Sequence, residues 1–320
     1  MRFLIVGTAW IAECFKKAVD LSGEAECVAV YSRTQESGMA FCKKTGIKTL
    51  FTSLEDAAMF DGADAVYIAS PNSCHYHQSK LMLQSGKHVF CEKPITGNAA
   101  EFEELYSLAK SKNLLYLQAL MTLHNPSFFL LKNELKNIGK ITGAHLDFSQ
   151  LSSKFQSFLS GENPNVFNPR MLGGSLMDLG VYNISLCIRL FGYPKEILSS
   201  LSFLENGVDG AGDCVFRYDD FNVTISFSKI GQSRTKSQII GDCATLTLGS
   251  VSKLTDISRF DTNGNEFIIT EDSAHEEVMK FEVLNFVEAS KDKEKYAEFL
   301  DECYDVSYKT IKAINEIKKL

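Results

Sequence analysis

The first 120 residues alternate between short, wholly apolar runs and helix-like stretches, and this alternation restricts the fold more than any other feature of the chain. Apolar runs fall at Phe3–Val6, Cys27–Tyr31, Ala65–Ala69, Val89–Cys91 and Leu114–Leu117. Between them, helical spacing of apolar residues recurs at 11–21, 35–45, 54–59, 75–85 and 99–112. Strands that are apolar on both faces need cover on both sides. Alternating strands and helices supply it as a parallel sheet with right-handed crossovers. The expectation is a doubly wound α/β domain, residues 1–120, with ligands beyond the carboxyl ends of its strands.

After Asn125-Pro126 the texture changes. β-rich runs at 142–149, 197–204, 214–218, 223–227, 237–240, 245–248 and 267–270 are separated by turn residues such as Asp219-Asp220, Gly241-Asp242 and Asn263-Gly264. That pattern predicts a large, mostly antiparallel, open sheet. With a helix over 176–191 and two C-terminal helices it makes an α+β domain, 121–320, for substrate binding and oligomerisation. The last helix, about 301–320, is expected to pack back on the first domain.

The formal net charge of −7 gives no basic stripe for nucleic acid or an anionic membrane. No apolar stretch is read as long enough to span a bilayer. Nine cysteines without a Cys-x-x-Cys pair fit reduced thiols of a cytoplasmic protein. His75 and His77 are two apart and so diverge on a helix, and no metal site is expected.

"FLIV" runs directly into "GTAWIA" and then a helix, a near-match to the dinucleotide turn G-x-G-x-x-G/A with Ala9 in the middle glycine's place. Gly7 would make the tight turn, Thr8 to Ile11 would bring the main chain to the pyrophosphate, and Ala12 would let helix and strand pack closely. The helix start offers free N–H groups and a partial positive charge. The second strand, "CVAVYSR", ends without the acid that would accept from a ribose in NAD. Ser32, Arg33 and Thr34 suit a 2′-phosphate instead, which favours NADP and leaves NAD open.

The run "HVFCEKP" brings a strand to Glu92, Lys93 and Pro94, placing two charges at one tip. By itself a strand-end lysine is a solvated surface group. Farther on, "GGSLMDLGVY" sets Asp178 and Tyr182 four apart, on one helical face. Gly180, within that helix, implies a close neighbour of the backbone.

Taken together, "GTAWIA", "YIASPNSCHYHQSKLMLQSGKHVFCEKP" and "GGSLMDLGVY" resemble the glucose–fructose oxidoreductase / inositol 2-dehydrogenase (Gfo/Idh/MocA) family over nearly the whole chain. The likeness is greatest to its NADP-dependent dihydrodiol and xylose dehydrogenase branch. The resemblance implies a Rossmann domain in which Lys93 stands beside the nicotinamide and binds substrate oxygen, often ahead of a cis peptide bond. It implies that Tyr182 exchanges the hydroxyl proton, and that Asp178 orients Lys93 or the substrate. It adds Ala69, Ser70, Pro71, Asn72, His75, Glu92 and Arg170 to the cofactor residues, with Trp10 in the turn. Sugar, polyol or diol is the implied substrate, and a homodimer or larger oligomer the implied assembly, formed through an open sheet face bearing Leu146, Phe148, Val223, Ile225 and Phe227. Where relatives read "WTRF-x-P" this chain has "MTLHNP", residues 121–126, which leaves His124 and Lys154 as substrate contacts. A non-catalytic NADP-binding regulator or scaffold is the rival reading.

Overall fold

The computed structural model describes residues 1–319. They fall into two compact units, 1–120 with 274–308 and 121–273 with the chain from 309 onward. The sequence reading ended the first domain at 120 and returned only the last helix to it. The chain in fact comes back earlier, at Ala274.

In the first unit, strands β1 (Arg2–Val6), β2 (Glu26–Tyr31), β3 (Thr49–Phe51), β4 (Ala65–Ile68), β5 (His88–Glu92) and β6 (Tyr116–Ala119) alternate with helices. The helices are α1 (Trp10–Ser22), α2 (Gln35–Thr45), α3 (Leu54–Met59), α4 (His75–Gln84) and α5 (Ala99–Ser111). The sheet is parallel, in the order β3-β2-β1-β4-β5-β6. This order reverses between β1 and β4, and such a switch point opens a crevice at the carboxyl edge. Sequence reading missed β3, whose three residues are all only half-buried, and it placed β6 two residues early. The remaining strands are apolar enough to declare themselves.

Helix α10 (His275–Lys291) explains the early return. It packs on α1, where Lys17 and Glu276 form an ion pair at 2.8 Å. Its Phe286 ring lies 4.8 Å from that of Phe90 and 5.7 Å from that of Phe3, sealing one face of the sheet. On the same sheet Phe15 stacks on Tyr67 at 3.6 Å. Burying an aromatic side chain of this size is worth about 1.5–3 kcal/mol, so the unit is incomplete without α10.

The second unit begins with α6 (Met121–His124) and α7 (Ser127–Glu134), and continues through β7 (Ile141–Ser149), α8 (Phe155–Leu159) and α9 (Val181–Phe191). Seven strands follow: β8 (Glu196–Phe203), β9 (Asp209–Arg217), β10 (Asn222–Ser228), β11 (Ser237–Gly241), β12 (Ala244–Ser250), β13 (Thr255–Asp261) and β14 (Glu266–Thr270). Their order is β14-β13-β12-β11-β7-β10-β9-β8, antiparallel throughout apart from the β7–β10 pair. Strand β13 was missed because "TDISRFD" mixes charges into the run. The last helix, α11 (Ala297–Ile317), belongs to the first unit up to Tyr308 and to the second beyond it.

One expectation fails here. Leu146, Val223, Ile225 and Phe227 are buried in the core with α9, and Phe148 packs against that core. They form the covered face of the sheet, because the alternation that aligns them also aligns them with the apolar side of α9. The opposite face carries the cross-strand row Leu198, Val215, Thr224, His145 and Gln238, which is largely polar.

A second correction concerns hydropathy. Pro169–Phe191 has a mean hydropathy of 1.3, long and apolar enough by composition to cross a bilayer. Of its most apolar 18-residue window, 72% is buried within the protein. Its apolarity is that of a core helix, and a left-handed Leu172 and a π-helical turn interrupt it.

Candidate active site

The carboxyl edge of the first unit's sheet collects most of the expected cofactor residues. Gly7 leaves β1 with φ +116°, and a Cβ there would stand 2.5 Å from the Ala69 carbonyl oxygen after β4. No other residue fits so tight an approach in that backbone conformation. Ala9 adopts ordinary extended geometry as the N-cap of α1, and no side chain caps that helix. Thr34, Ser53 and Asn98, by contrast, cap α2, α3 and α5 through their side chains. The α1 start therefore keeps main-chain donors for an anion. Thr8 and Ile11 are half-buried, whereas Trp10 is 62% exposed with its ring 5.0 Å from that of His275.

Beyond β2, Arg33 is exposed and makes no ion pair among the described residues. Ser32 is buried, and the Thr34 hydroxyl accepts from the Ser37 amide as the α2 cap. Of the three residues assigned to a 2′-phosphate, Arg33 is thus the one standing free to reach it. Beyond β4, Ser70 donates to Gln78 at 2.5 Å, while Pro71 and Asn72 begin a short 3₁₀ turn. His75 is fully buried, each ring nitrogen 2.9 Å from a main-chain carbonyl, of Ser70 and of Pro94. Burial lowers its pKa, against the pull of those two carbonyls. It braces the loop after β4 to the turn after β5, so its part at the crevice is to hold both.

At the tip of β5 Glu92 is 8% exposed. One of its carboxylate oxygens accepts a short hydrogen bond from the Tyr67 hydroxyl, and the other accepts from the Lys93 amide at 3.2 Å. The Lys93–Pro94 bond is cis. A buried carboxylate thus fixes the main chain of Lys93, which is half-buried at the sheet's carboxyl edge.

The second unit carries the other expected residues. Asp178 lies in a π-helical turn, Leu176–Gly180, that precedes α9 where an unbroken helix was expected. Such turns widen the helix and are frequent at functional sites. The neighbour that Gly180 anticipated is Phe227 of β10, whose ring atoms would meet a Cβ at 3.1 Å. The glycine pair before the turn is shaped by the unit's own packing. A Cβ on Gly174, at φ +115°, would overlap the Asp209 carboxylate. Asp209 accepts from the Ser175 hydroxyl at 2.7 Å and the Leu176 amide at 2.6 Å, capping the π turn from the start of β9. Tyr182 sits edge-on to Phe148, ring centroids 5.6 Å apart.

His124 is buried in α6, whereas Lys154, the N-cap of α8, and Arg170, in a 3₁₀ turn over Pro169–Met171, are exposed. Arg170 belongs to the second unit. Among the described residues no group of three His, Cys, Asp or Glu could hold a metal ion.

Two residues escaped sequence reading. Asp209 caps across 33 residues of chain, and nothing local announces it. Lys229 forms an ion pair with Asp178, Nζ to Oδ2 at 2.6 Å. That lysine carried a readable signal. In "VTISFSK" it continues the alternation of Val223, Ile225 and Phe227, so it falls on the covered face of the sheet.

Comparison with known proteins agrees with this architecture. Residues 1–119 match the family model GFO_IDH_MocA, an oxidoreductase family with an NAD-binding Rossmann fold, and residues 134–247 match the GFO/IDH/MocA C-terminal domain. The uncharacterized oxidoreductase YgjR of Escherichia coli is 40% identical over 79% of this chain and 77% of its own length. The scyllo-inositol 2-dehydrogenase (NADP(+)) IolU of Bacillus subtilis is 38% identical over the same shares. In fold, the 3-ketoreductase KijD10 of Actinomadura kijaniata, solved with NADP and TDP-benzene, superposes with a TM-score of 0.87 over 100% of this chain and 97% of its own, at 21% identity. Both halves of the chain, the dinucleotide edge and the open-sheet unit, place this protein in the Gfo/Idh/MocA oxidoreductase family.

Proposed function

We propose that this oxidoreductase is NADP-dependent and transfers a hydride between the nicotinamide and a CH–OH or carbonyl carbon of a sugar, polyol or diol. The observation that carries the reading is Lys93, held by a buried carboxylate at the carboxyl edge of an NAD-binding Rossmann unit. The names of the relatives support the substrate class, since they include NADP-dependent dehydrogenases of scyllo-inositol and D-xylose. Gly7, the uncapped start of α1 and the unpaired Arg33 fit a dinucleotide with a 2′-phosphate.

NADP, when bound, supplies the hydride acceptor or donor. The protein's own groups do the rest. Lys93 binds the substrate oxygen, and Tyr182 gives or takes the hydroxyl proton. A free phenol has a pKa of about 10, and tyrosine is among the side chains that serve as general acids and bases. Asp178 orients the substrate. We further propose a cytoplasmic protein, supported by nine free thiols of which five are buried. Burial pushes Cys27, Cys187 and Cys214 up to about 12, so these thiols are inert. A homodimer through the open sheet face is proposed in turn, on the row from exposed Leu198 through half-buried Val215, Thr224 and His145 to Gln238, and not on the apolar face already covered by α9. Light scattering at micromolar concentration tests it, and a monomer would refute it.

The catalytic reading is tested by screening sugars, inositols and diols for NADPH absorbance changes, then comparing Lys93→Met and Tyr182→Phe with the parent. Proton transfer by a placed side chain contributes about 10²–10⁴-fold, so each variant should lose turnover on that scale while NADPH still binds. Full turnover in Tyr182→Phe with an unchanged pH profile would assign the proton to another group.

A further inference from the structure

We infer that Lys229 is a positioning residue of the active site, one that keeps Asp178 ionised and fixes where its carboxylate points. The inference rests on the proposed role of Asp178 in substrate orientation.

The placement of Lys229 is unusual for a lysine. It follows β10 directly, and the main chain there is tied on both sides: its amide donates to the Gly210 carbonyl at 2.8 Å, and its carbonyl accepts from the Ser152 amide at 2.9 Å. Its side chain therefore extends the inward row of β10, beyond Phe227, and is only 12% exposed. An ammonium in such a place needs a partner, because burying a charge alone is costly. The partner is Asp178, 30% exposed, in the π turn that β10 packs against.

The strands packed against the π turn present mainly apolar side chains to it. Strands β7, β9 and β10 face it with Leu146, Phe148, Cys214, Phe216, Ile225 and Phe227. Burial pushes the Cys214 thiol up to about 12, so it is uncharged. Asp147 and Asp213 belong to the opposite face, where hydroxyls of Ser149 and Ser226 donate to them. On its own helix the nearest titratable group is Tyr182, and Asp209 lies at the other end of the turn, occupied with Ser175 and Leu176. Lys229 thus brings a positive charge to Asp178 from within the second unit.

This has a chemical consequence. Burial against apolar rings favours the protonated form of a carboxylate, which donates as well as accepts, and an adjacent ammonium favours the ionised form. Paired with Lys229 it stays an acceptor, with a defined direction, toward a substrate hydroxyl. Pairing also leaves the wall formed by Asp178 and Lys229 without net charge, which suits a polyol or ketose.

The test uses the full-length protein with Lys229→Met, Lys229→Gln and Lys229→Arg, each checked for folding by NADPH binding. The Asp178 carboxyl is first titrated by NMR in aspartate-labelled protein, with Asp178→Asn to assign the signal. This readout needs no turnover. Its midpoint should rise by about one pH unit or more in Lys229→Met and Lys229→Gln, and stay near the parent value in Lys229→Arg; an unchanged midpoint in both neutral variants overturns the inference. With a substrate from the screen, both neutral variants should lose about 10–100-fold in kcat/KM, mostly through KM, and recover part of it as pH rises and Asp178 ionises. Parent-like kinetics in both would overturn it as well. If the parent protein turns over nothing, the proposed function fails and the titration alone decides the ion pair's role.

Discussion

Replacing Asp209 by alanine should loosen the π turn that carries Asp178. Two hydrogen bonds are lost, from the Ser175 hydroxyl at 2.7 Å and the Leu176 amide at 2.6 Å. Each is made to a buried acceptor, and bonds of this charged kind are worth about 1.5–3 kcal/mol, for a gross loss of about 3–6 kcal/mol. Part is returned, because burial holds the Asp209 carboxyl above the usual carboxylate range and its removal relieves that cost. We expect a net loss of about 2–4 kcal/mol in the local stability of residues 174–182. Both bonds end on one oxygen, Oδ2, so Asp209→Asn with its amide oxygen in that place should keep them in uncharged form and lose less than Asp209→Ala. Because two-unit proteins rarely unfold in one step, a global melt is a poor gauge. Hydrogen exchange of the peptide containing the Leu176 amide reads the turn directly, and 2–4 kcal/mol corresponds to about 30–1000-fold faster exchange. If the Leu176 amide in Asp209→Ala exchanges within threefold of the parent, Asp209 is a bystander and the turn is held by its packing alone.

Three other outcomes follow from the first unit. Arg33→Ala should weaken NADPH binding several-fold to a hundredfold while leaving NADH nearly unchanged, with Trp10 beside the phosphate turn as the fluorescent reporter; retained NADPH preference would remove Arg33 from the cofactor site. His88 is held neutral, its pKa lowered to about 4 by burial and by Lys293, and its Nδ1 accepts from the Leu115 amide at 2.9 Å. Below the unfolded value of about 6.5 only the unfolded chain takes up this proton, so stability falls between about pH 6.5 and 4, by up to about 3 kcal/mol, and His88→Asn should flatten that slope in denaturation followed by Trp10. Glu282, fully buried in α10 with Oε2 unpartnered, has its pKa raised well above the carboxylate range by burial and by the nearby Glu92. A raised acid costs stability once pH exceeds its unfolded value of about 4.3, so Glu282→Gln should gain on the parent as pH rises from 4 to 8; a gap that stays constant over that range would remove Glu282 as its source.

The residues most legible in the sequence were those whose constraints are local. Gly7 follows a strand and opens a helix, Lys93 ends an apolar run, and Asp178 and Tyr182 share a helical spacing. The cross-chain constraints were hidden. Asp209 meets Ser175 only because β9 begins beside the π turn, and Phe286 meets Phe90 only because the chain returns from the second unit. The misread dimer face shows a subtler limit. Alternation tells which residues of a strand share a face, but not which face a helix covers. Lys229 shows the converse, since a charge in an apolar row is visible from the sequence once the row has been recognised.

The return of the chain at Ala274 also sets an order of events during synthesis. A nascent chain that has emerged through residue 120 already holds all six strands of the first sheet, yet the ring that closes over Phe3 and Phe90 lies 166 residues farther on, at Phe286. Until then that side of the sheet is open to water and to chaperones, and the intervening unit must be made while it waits. Of the two units, the one whose strands are made earlier is thus not closed until the other has been made.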